Sequence, residues 1–372
     1  MVSMTNHNIL FFLLCTNLAL AILDAEPPLK RAGRGREDHL DTDLGRQQPS
    51  RDCDFAVGEW VFDGSYPLYD GSCPFLSSQL SCRRNGRPDS DYEKWRWEPH
   101  HCSIPRFNAL DFLSKIRMKR VMLVGDSIMR SQWESLVCLV EAVIPTDRKL
   151  VSSDGPCVAF HALDFEASIE FAWAPFLVEL TDDGHNRRVL HLDTIEDNAK
   201  YWRDVDVLLF DSAHWWTHSG KWSSWDFYME EGRLFKELNP MVAYEKGLTT
   251  WAKWVDMNLN PRKTRVMFRS ASARHNRENG WQCYKVREPV VYLGYGPGVP
   301  RQLEVVREVL EKMSFPVYLL DVSRMSALRR DGHPSVYMAS PDMQRRMGSD
   351  CSHWCLPGVP DSWNEMLYAL LL

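Results

Sequence analysis

The chain has 372 residues, with 44 Lys+Arg against 50 Asp+Glu and so a formal charge of −6. Its length allows one large domain or two moderate ones and its 44% hydrophobic content supports a full core, which excludes a disordered chain. The mild acidity excludes phosphate-backbone binding as the main task, and no nucleic-acid partner is expected.

Ile9 to Leu23 is an apolar run of about 15 residues, short of the roughly 20 that cross a hydrocarbon core as a helix. Ala19-Leu20-Ala21 has the small-x-small form of a signal-peptidase site, and no Lys or Arg precedes Ile9. A cleaved signal peptide and an uncleaved signal anchor both fit residues 1–23; either sends the rest of the chain into the secretory lumen. Asp24 to Arg51, with Lys30-Arg31 and Arg34-Gly35-Arg36-Glu37-Asp38, has no apolar period and reads as a flexible stem.

Residues 52–106 mix aromatics with Gly, Pro and Cys and lack helical period. That texture predicts a small disulfide-pinned module of turns and short strands. Beyond Phe107 short apolar runs alternate with helical stretches. Val121–Val124, Val205–Phe210, Arg265–Phe268 and Phe315–Asp321 read as strands. Gln132–Val143, Tyr244–Met257 and Arg301–Met313 read as helices. Alternation of this kind predicts an α/β fold, a parallel sheet covered on both faces. Sites in such sheets lie beyond the carboxyl ends of the strands, which points to Gly125 onward, Asp211 onward and Arg269 onward.

Nine cysteines follow Cys15, an odd number, so in an oxidising lumen at least one thiol stays unpaired within the chain; Cys157 is the candidate. Disulfides are favoured over zinc for Cys351-x3-Cys355, because no second pair stands at ligand spacing. No Asn-x-Ser/Thr acceptor occurs. Fifteen Trp, 12 Tyr and 16 Phe supply flat faces that suit sugar rings and serve equally as core filler.

Three constellations carry chemistry. Gly125-Asp126-Ser127 follows a strand directly, putting a hydroxyl where a helix begins and backbone N–H groups can hold an oxyanion; a plain N-cap fits the same residues. Asp350-Cys351-Ser352-His353 offers a carboxylate and an imidazole on one turn, as serine activation requires, with Asp331-Gly332-His333-Pro334 as a competing pair. Asp211-Ser212-Ala213-His214-Trp215-Trp216-Thr217-His218 has two histidines four apart. Trp215 stands where a zinc protease needs glutamate, so a cleft lining is expected and no metal.

Taken together these blocks resemble the trichome birefringence-like family of plant proteins. Gly125-Asp126-Ser127 with Gln132 and Ser135-Leu136-Val137-Cys138 resembles its GDS block. Trp60-Val61, Tyr92-x2-Trp95-Arg96-Trp97 with Cys102, His214-Trp215-Trp216, Asp331-Gly332-His333-Pro334-Ser335 and Asp350-Cys351-Ser352-His353-Trp354-Cys355-Leu356-Pro357-Gly358 extend the match from Cys53 to the C-terminus.

The resemblance implies a GDSL/SGNH-esterase-like three-layer domain over residues 107–372, a polysaccharide O-acetyltransferase held in the Golgi. It implies Ser127 as nucleophile, His353 as base and Asp350 as its orienting acid, with Asp331 and His333 structural. It also implies disulfides from the N-terminal module to the catalytic part, and no bound cofactor beyond an acetyl donor of open identity. Gly125, Asp126, Asp211 and His214 are expected around the oxyanion and cleft. Trp215, Trp216 and Arg130 are expected to bind substrate. Two departures bear on rate: Asp211-Ser212-Ala213 replaces the usual Asn-Thr-Gly, and Ser131 replaces a common Asn. An ionised Asp211 would repel an oxyanion. The acceptor would be xylan, mannan or pectin. A polysaccharide acetyl-esterase and a non-catalytic wall-polysaccharide binder are the alternatives.

Overall fold

The computed structural model describes residues 53–220, 223–275, 283–290, 300–340, 342 and 348–372. The apolar segment of residues 1–23 and the stem of residues 24–51 lie outside the described residues. Thirteen strands carry labels here: β1 (Gly58–Phe62), β2 (Trp95–Pro99), β3 (Arg120–Gly125), β4 (Lys149–Asp154), β5 (Cys157–Ala162), β6 (Ala167–Trp173), β7 (Leu180–Asp182), β8 (Arg188–His191), β9 (Val207–Phe210), β10 (Phe227–Glu230), β11 (Arg233–Phe235), β12 (Arg265–Arg269) and β13 (Val317–Leu320). Among the described residues the α-helices given labels are α1 (Ala109–Lys115), α2 (Ser127–Glu141), α3 (Glu196–Ala199), α4 (Pro240–Asn258), α5 (Arg301–Leu310), α6 (Ser323–Ala327) and α7 (Val359–Leu371).

The central sheet has seven strands in the order β13-β12-β9-β3-β6-β5-β4. Its first five are mutually parallel, as the alternating pattern requires. β5 and β4 extend it antiparallel, which the sequence pattern did not separate from the loop before β6. β3 is central, and its side chains alternate between two covered faces. Val121 and Leu123 join one core with Phe112, Trp133, Leu136, Trp363 and Leu367. Met122 and Val124 join the other with Leu208, Phe210, Trp251, Val255 and Val306. A strand buried on both sides is therefore a continuous apolar run, each such side chain contributing about 2 kcal/mol on leaving water.

A second sheet, β11-β10-β8-β7, comes from short strands whose edges are exposed and mixed in charge, and it was not anticipated. Nor was α7, whose buried face runs nearly all the way round (Val359, Trp363, Asn364, Met366, Leu367, Leu370). Its buried residues include Asp361, Ser362, Asn364 and Glu365, so tertiary partners bury polar side chains that sequence alone assigns to a solvated face.

β1 and β2 pair antiparallel within the N-terminal module, with Trp60 against Trp97 edge to face at 5.5 Å. Cys53–Cys102 closes the module on itself, Cys73–Cys138 ties it to α2, and Cys82–Cys355 ties it to the segment after His353. Cys283–Cys351 is the fourth bridge. Cys157 is free and buried, and burial pushes its thiol up to about 11.

Candidate active site

β3 ends at Gly125, whose Cβ position lies 2.7 Å from the Asp211 carbonyl oxygen, so no larger residue fits between β3 and the segment after β9. The N-cap role falls to Asp126, whose Oδ1 accepts from the Ile128 N–H at 2.8 Å. That leaves the next residue's hydroxyl free of capping. Ser127 opens α2, its backbone N–H among those with no intrahelical partner. Its Oγ lies 2.8 Å from His353 Nε2, across 226 residues of sequence.

His353 Nδ1 lies 2.8 Å from Asp350 Oδ2. The other carboxylate oxygen, Oδ1, accepts from the Ser352 and His353 N–H groups, each at 3.0 Å. The turn is held at both ends. Asp350 makes a two-way backbone bridge with Ser335, and the disulfides of Cys351 and Cys355 flank the histidine. Burial alone would raise the Asp350 carboxyl, but the His353 ring and the two N–H donors hold it well below its ordinary value. Burial alone would likewise lower His353, yet the Asp350 charge and hydrogen bond carry the imidazole above 6.5. With Nδ1–H committed to Asp350, Nε2 of the neutral ring turns its lone pair on the serine proton.

Beneath the serine lies a buried polar floor. Asp211 is fully enclosed and ion-paired with Arg269, which itself packs its guanidinium over the Trp363 ring at 4.6 Å. Burial pushes the Asp211 carboxyl up and Arg269 pulls it down. Burial prevails and the carboxyl stands above its ordinary value, so the repulsion that an ionised Asp211 would exert is opposed both by that rise and by the fixed cation against it. Tyr244 donates its hydroxyl to the Ser212 carbonyl. His214 Nε2 donates to the Ser272 carbonyl at 3.0 Å, while its Nδ1 faces Asp126 Oδ2 at 3.8 Å. Burial pushes His214 toward the neutral form. Ser272 Oγ in turn accepts from Trp354 Nε1 at 3.1 Å, next to His353. Ser131 is buried and donates to the Ile128 carbonyl at 2.6 Å, a contact within α2.

Trp216 does not line the cleft, which corrects its expected place against substrate. It is 0% exposed, donates Nε1 to Ser212 Oγ at 2.8 Å, and lies where Gly247 leaves room for its ring. Trp215 is half-buried and meets Trp173 edge to face at 5.5 Å. Trp173 is the last residue of β6, in register with Gly125, and is 36% exposed. Arg130 is exposed on the first turns of α2 and paired with Glu134 at 3.2 Å.

Sequence reasoning missed Trp173 and Gln79, and it pointed to Arg269 only as the start of a segment beyond a strand end, without its pairing to Asp211. Gln79 comes from the N-terminal module, and its Nε2 lies 3.4 Å from His353 Nδ1, so the module reaches the ring of the candidate base. A charged residue closing the apolar run Val266-Met267-Phe268 was a readable signal for Arg269; Gln79 had none.

With a half-buried serine at the head of a helix after the central parallel strand, and a histidine–carboxylate turn against it, the molecule is of the acyl-esterase class. Residues 104–370 match the PC-Esterase family, described as a GDSL/SGNH-like acyl-esterase family found in Pmr5 and Cas1p, and the chain belongs to it. Residues 51–103 match the PMR5 N-terminal domain. The chain is 57% identical to protein trichome birefringence-like 36 of Arabidopsis thaliana over 98% of its length and 97% of that protein's. It is 40% identical to trichome birefringence-like 38 of the same plant, over 88% of this chain and 86% of that one. It is 42% identical to probable xylan O-acetyltransferase 8 of Oryza sativa subsp. japonica, over 86% of this chain and 78% of that one.

Proposed function

We propose that the protein is an O-acetyltransferase that moves an acetyl group through Ser127 onto hydroxyls of a plant cell-wall polysaccharide. The observation that carries the reading is the His353 ring, hydrogen-bonded to Ser127 on one side and Asp350 on the other. The name of the rice relative supports the acceptor class.

In this reading Ser127 Oγ attacks the carbonyl carbon of an acetyl donor as its proton passes to His353 Nε2. The tetrahedral oxyanion is met by the Ser127 N–H, one such donor being worth about 3 kcal/mol. His353 returns the proton to the leaving group, and an acetyl ester forms on Ser127. A sugar hydroxyl then attacks that ester, gives its proton to His353, and departs acetylated; the proton goes back to Ser127. Asp350 stays ionised and supports the imidazolium at each step. Trp173 and Trp215 would offer the acceptor ring a face and an edge beside the serine. Four disulfides support work in an oxidising lumen, for which the Golgi is the proposed place.

The test is incubation of the chain with an acetyl-ester donor and a panel of xylan, mannan and pectin oligosaccharides, read by mass spectrometry. Acetyl gain on one polymer supports the reading and names the acceptor. Donor turnover that no acceptor diverts from water would make the chain an esterase. Oligosaccharide binding with no turnover would make it a binder.

A further inference from the structure

His275, on the segment after β12, and His333, on the turn that precedes the Ser335–Asp350 bridge, meet in the core. His275 Nδ1 lies 2.7 Å from His333 Nε2. Both outer nitrogens face backbone carbonyls: His275 Nε2 lies 3.0 Å from the Ala327 oxygen, and His333 Nδ1 lies 2.6 Å from the oxygen of His353 itself. A carbonyl only accepts, so each outer nitrogen must carry a proton. That uses the one ring proton of each neutral imidazole. The contact between the rings would then be two lone pairs at hydrogen-bond distance. One more proton resolves all three contacts at once.

We propose that His275 and His333 share that proton as a singly charged pair. The pair is a positioning device for His353, fixing its backbone carbonyl and lowering the basicity of its ring through charge. The role in positioning rests on the proposed part of His353 as base; the shared proton does not.

The surroundings bear on the charge from several sides. The Trp354 indole stacks on the His333 ring at 4.1 Å between centroids, a face that favours a cation. Asp331 and Asp350 favour protonation, whereas Arg330 and a charged His353 oppose it. Arg329 pairs with Asp331, and Arg87 of the N-terminal module donates to the Asp331 and His333 carbonyls at 2.8 and 3.1 Å. Burial pushes both rings toward the neutral form, so the hydrogen-bond geometry works against desolvation. If the proton leaves, one contact must open. If the open contact is the one to His353, the catalytic turn loses its support.

The test uses the full chain labelled with nitrogen-15 in its histidine rings. Near pH 6.5, the expected signal is one proton coupled to a nitrogen of each ring, His275 Nδ1 and His333 Nε2. Two unprotonated nitrogens at that contact would overturn the proposal. In His275→Gln the amide can still donate to His333 Nε2 without adding charge. The His353 ring should then titrate higher by about half to one pH unit, as the loss of a like charge requires. A folded variant whose His353 midpoint stays put would overturn the charge effect, since a purely structural role leaves it unmoved. Neither readout uses acetyl transfer, so failure of the acetyltransferase reading would leave both standing.

Discussion

The Cys82–Cys355 disulfide joins the N-terminal module to the chain two residues beyond His353, and removing it should cost both stability and turnover. The bond closes a sequence separation of 273 residues, for which chain entropy gives about 5.5 kcal/mol. Shortcuts through Cys73–Cys138 and Cys283–Cys351 reduce the loop to roughly 160 residues and lower that by only about 0.5 kcal/mol, because the dependence is logarithmic. The double variant Cys82→Ala/Cys355→Ala avoids stray thiols. At the lower end of 2–4 °C per kcal/mol, appropriate to a large chain, its Tm should fall by about 10 °C. Turnover should fall too. The tether sits beside the Leu356 N–H bond to Leu80 O at 3.0 Å, and Leu80 is the neighbour of Gln79, which touches the His353 ring. Thermal unfolding by circular dichroism under oxidising conditions, with acetyl-ester turnover on the same samples, is the assay. A Tm within about 2 °C of the parent, with turnover unchanged, would refute the view that this bond holds the catalytic turn.

Three more outcomes follow from the buried groups and the rim. Glu365 accepts from Tyr66 OH at 2.7 Å, and burial pushes its carboxyl up to about 7. A carboxyl raised in the folded state gives stability that is present below pH 4.5 and lost as pH rises through about 7, so Glu365→Gln should flatten that decline and, at pH 7.5, raise the unfolding free energy from chemical denaturation by up to about 3 kcal/mol. Arg269→Met leaves the Asp211 carboxyl buried without its cation and should destabilise by about 3–5 kcal/mol, whereas Arg269→Met/Asp211→Leu should recover much of the loss; equal losses in both would contradict the pairing. Trp173→Ala should raise KM for the oligosaccharide about tenfold, near 1.4 kcal/mol, and leave acetyl-ester hydrolysis within about twofold; equal effects on both would remove the ring from acceptor binding.

Much of this was readable in the sequence wherever the chemistry is local. Val121 to Val124 announced a doubly buried strand, Gly125-Asp126-Ser127 a sharp turn into a helix, and Asp350 to His353 a carboxylate and imidazole on one turn. That one thiol stays unpaired was readable from the odd cysteine count, and Cys157, the candidate, is the free one. What stayed hidden depends on distant partners. Trp215 and Trp216 are adjacent and chemically alike, yet Trp216 fills the space above Gly247 while Trp215 meets Trp173 at the rim. Asp211 read as a liability because its cation arrives from another strand, 58 residues on. His333 was read as structural, and its hydrogen bond to the His353 carbonyl shows how close a structural residue lies to the candidate base. The β4–β5 extension was obscured because the exposed edge strand β4 shows no buried alternation, and α7 because it buries Asp361, Asn364 and Glu365 against distant partners.

The measurement that bears most directly on the central claim is the intact mass of the wild-type chain and of Ser127→Ala after brief exposure to an acetyl-ester donor, followed by addition of acceptor oligosaccharide. One acetyl group is expected on the wild type, mapped to the peptide containing Ser127 and discharged to the acceptor, with no acetyl on the folded variant and no transfer by it. Transfer by Ser127→Ala at the wild-type rate, or an acetyl group mapped to another residue and discharged equally well, would contradict it.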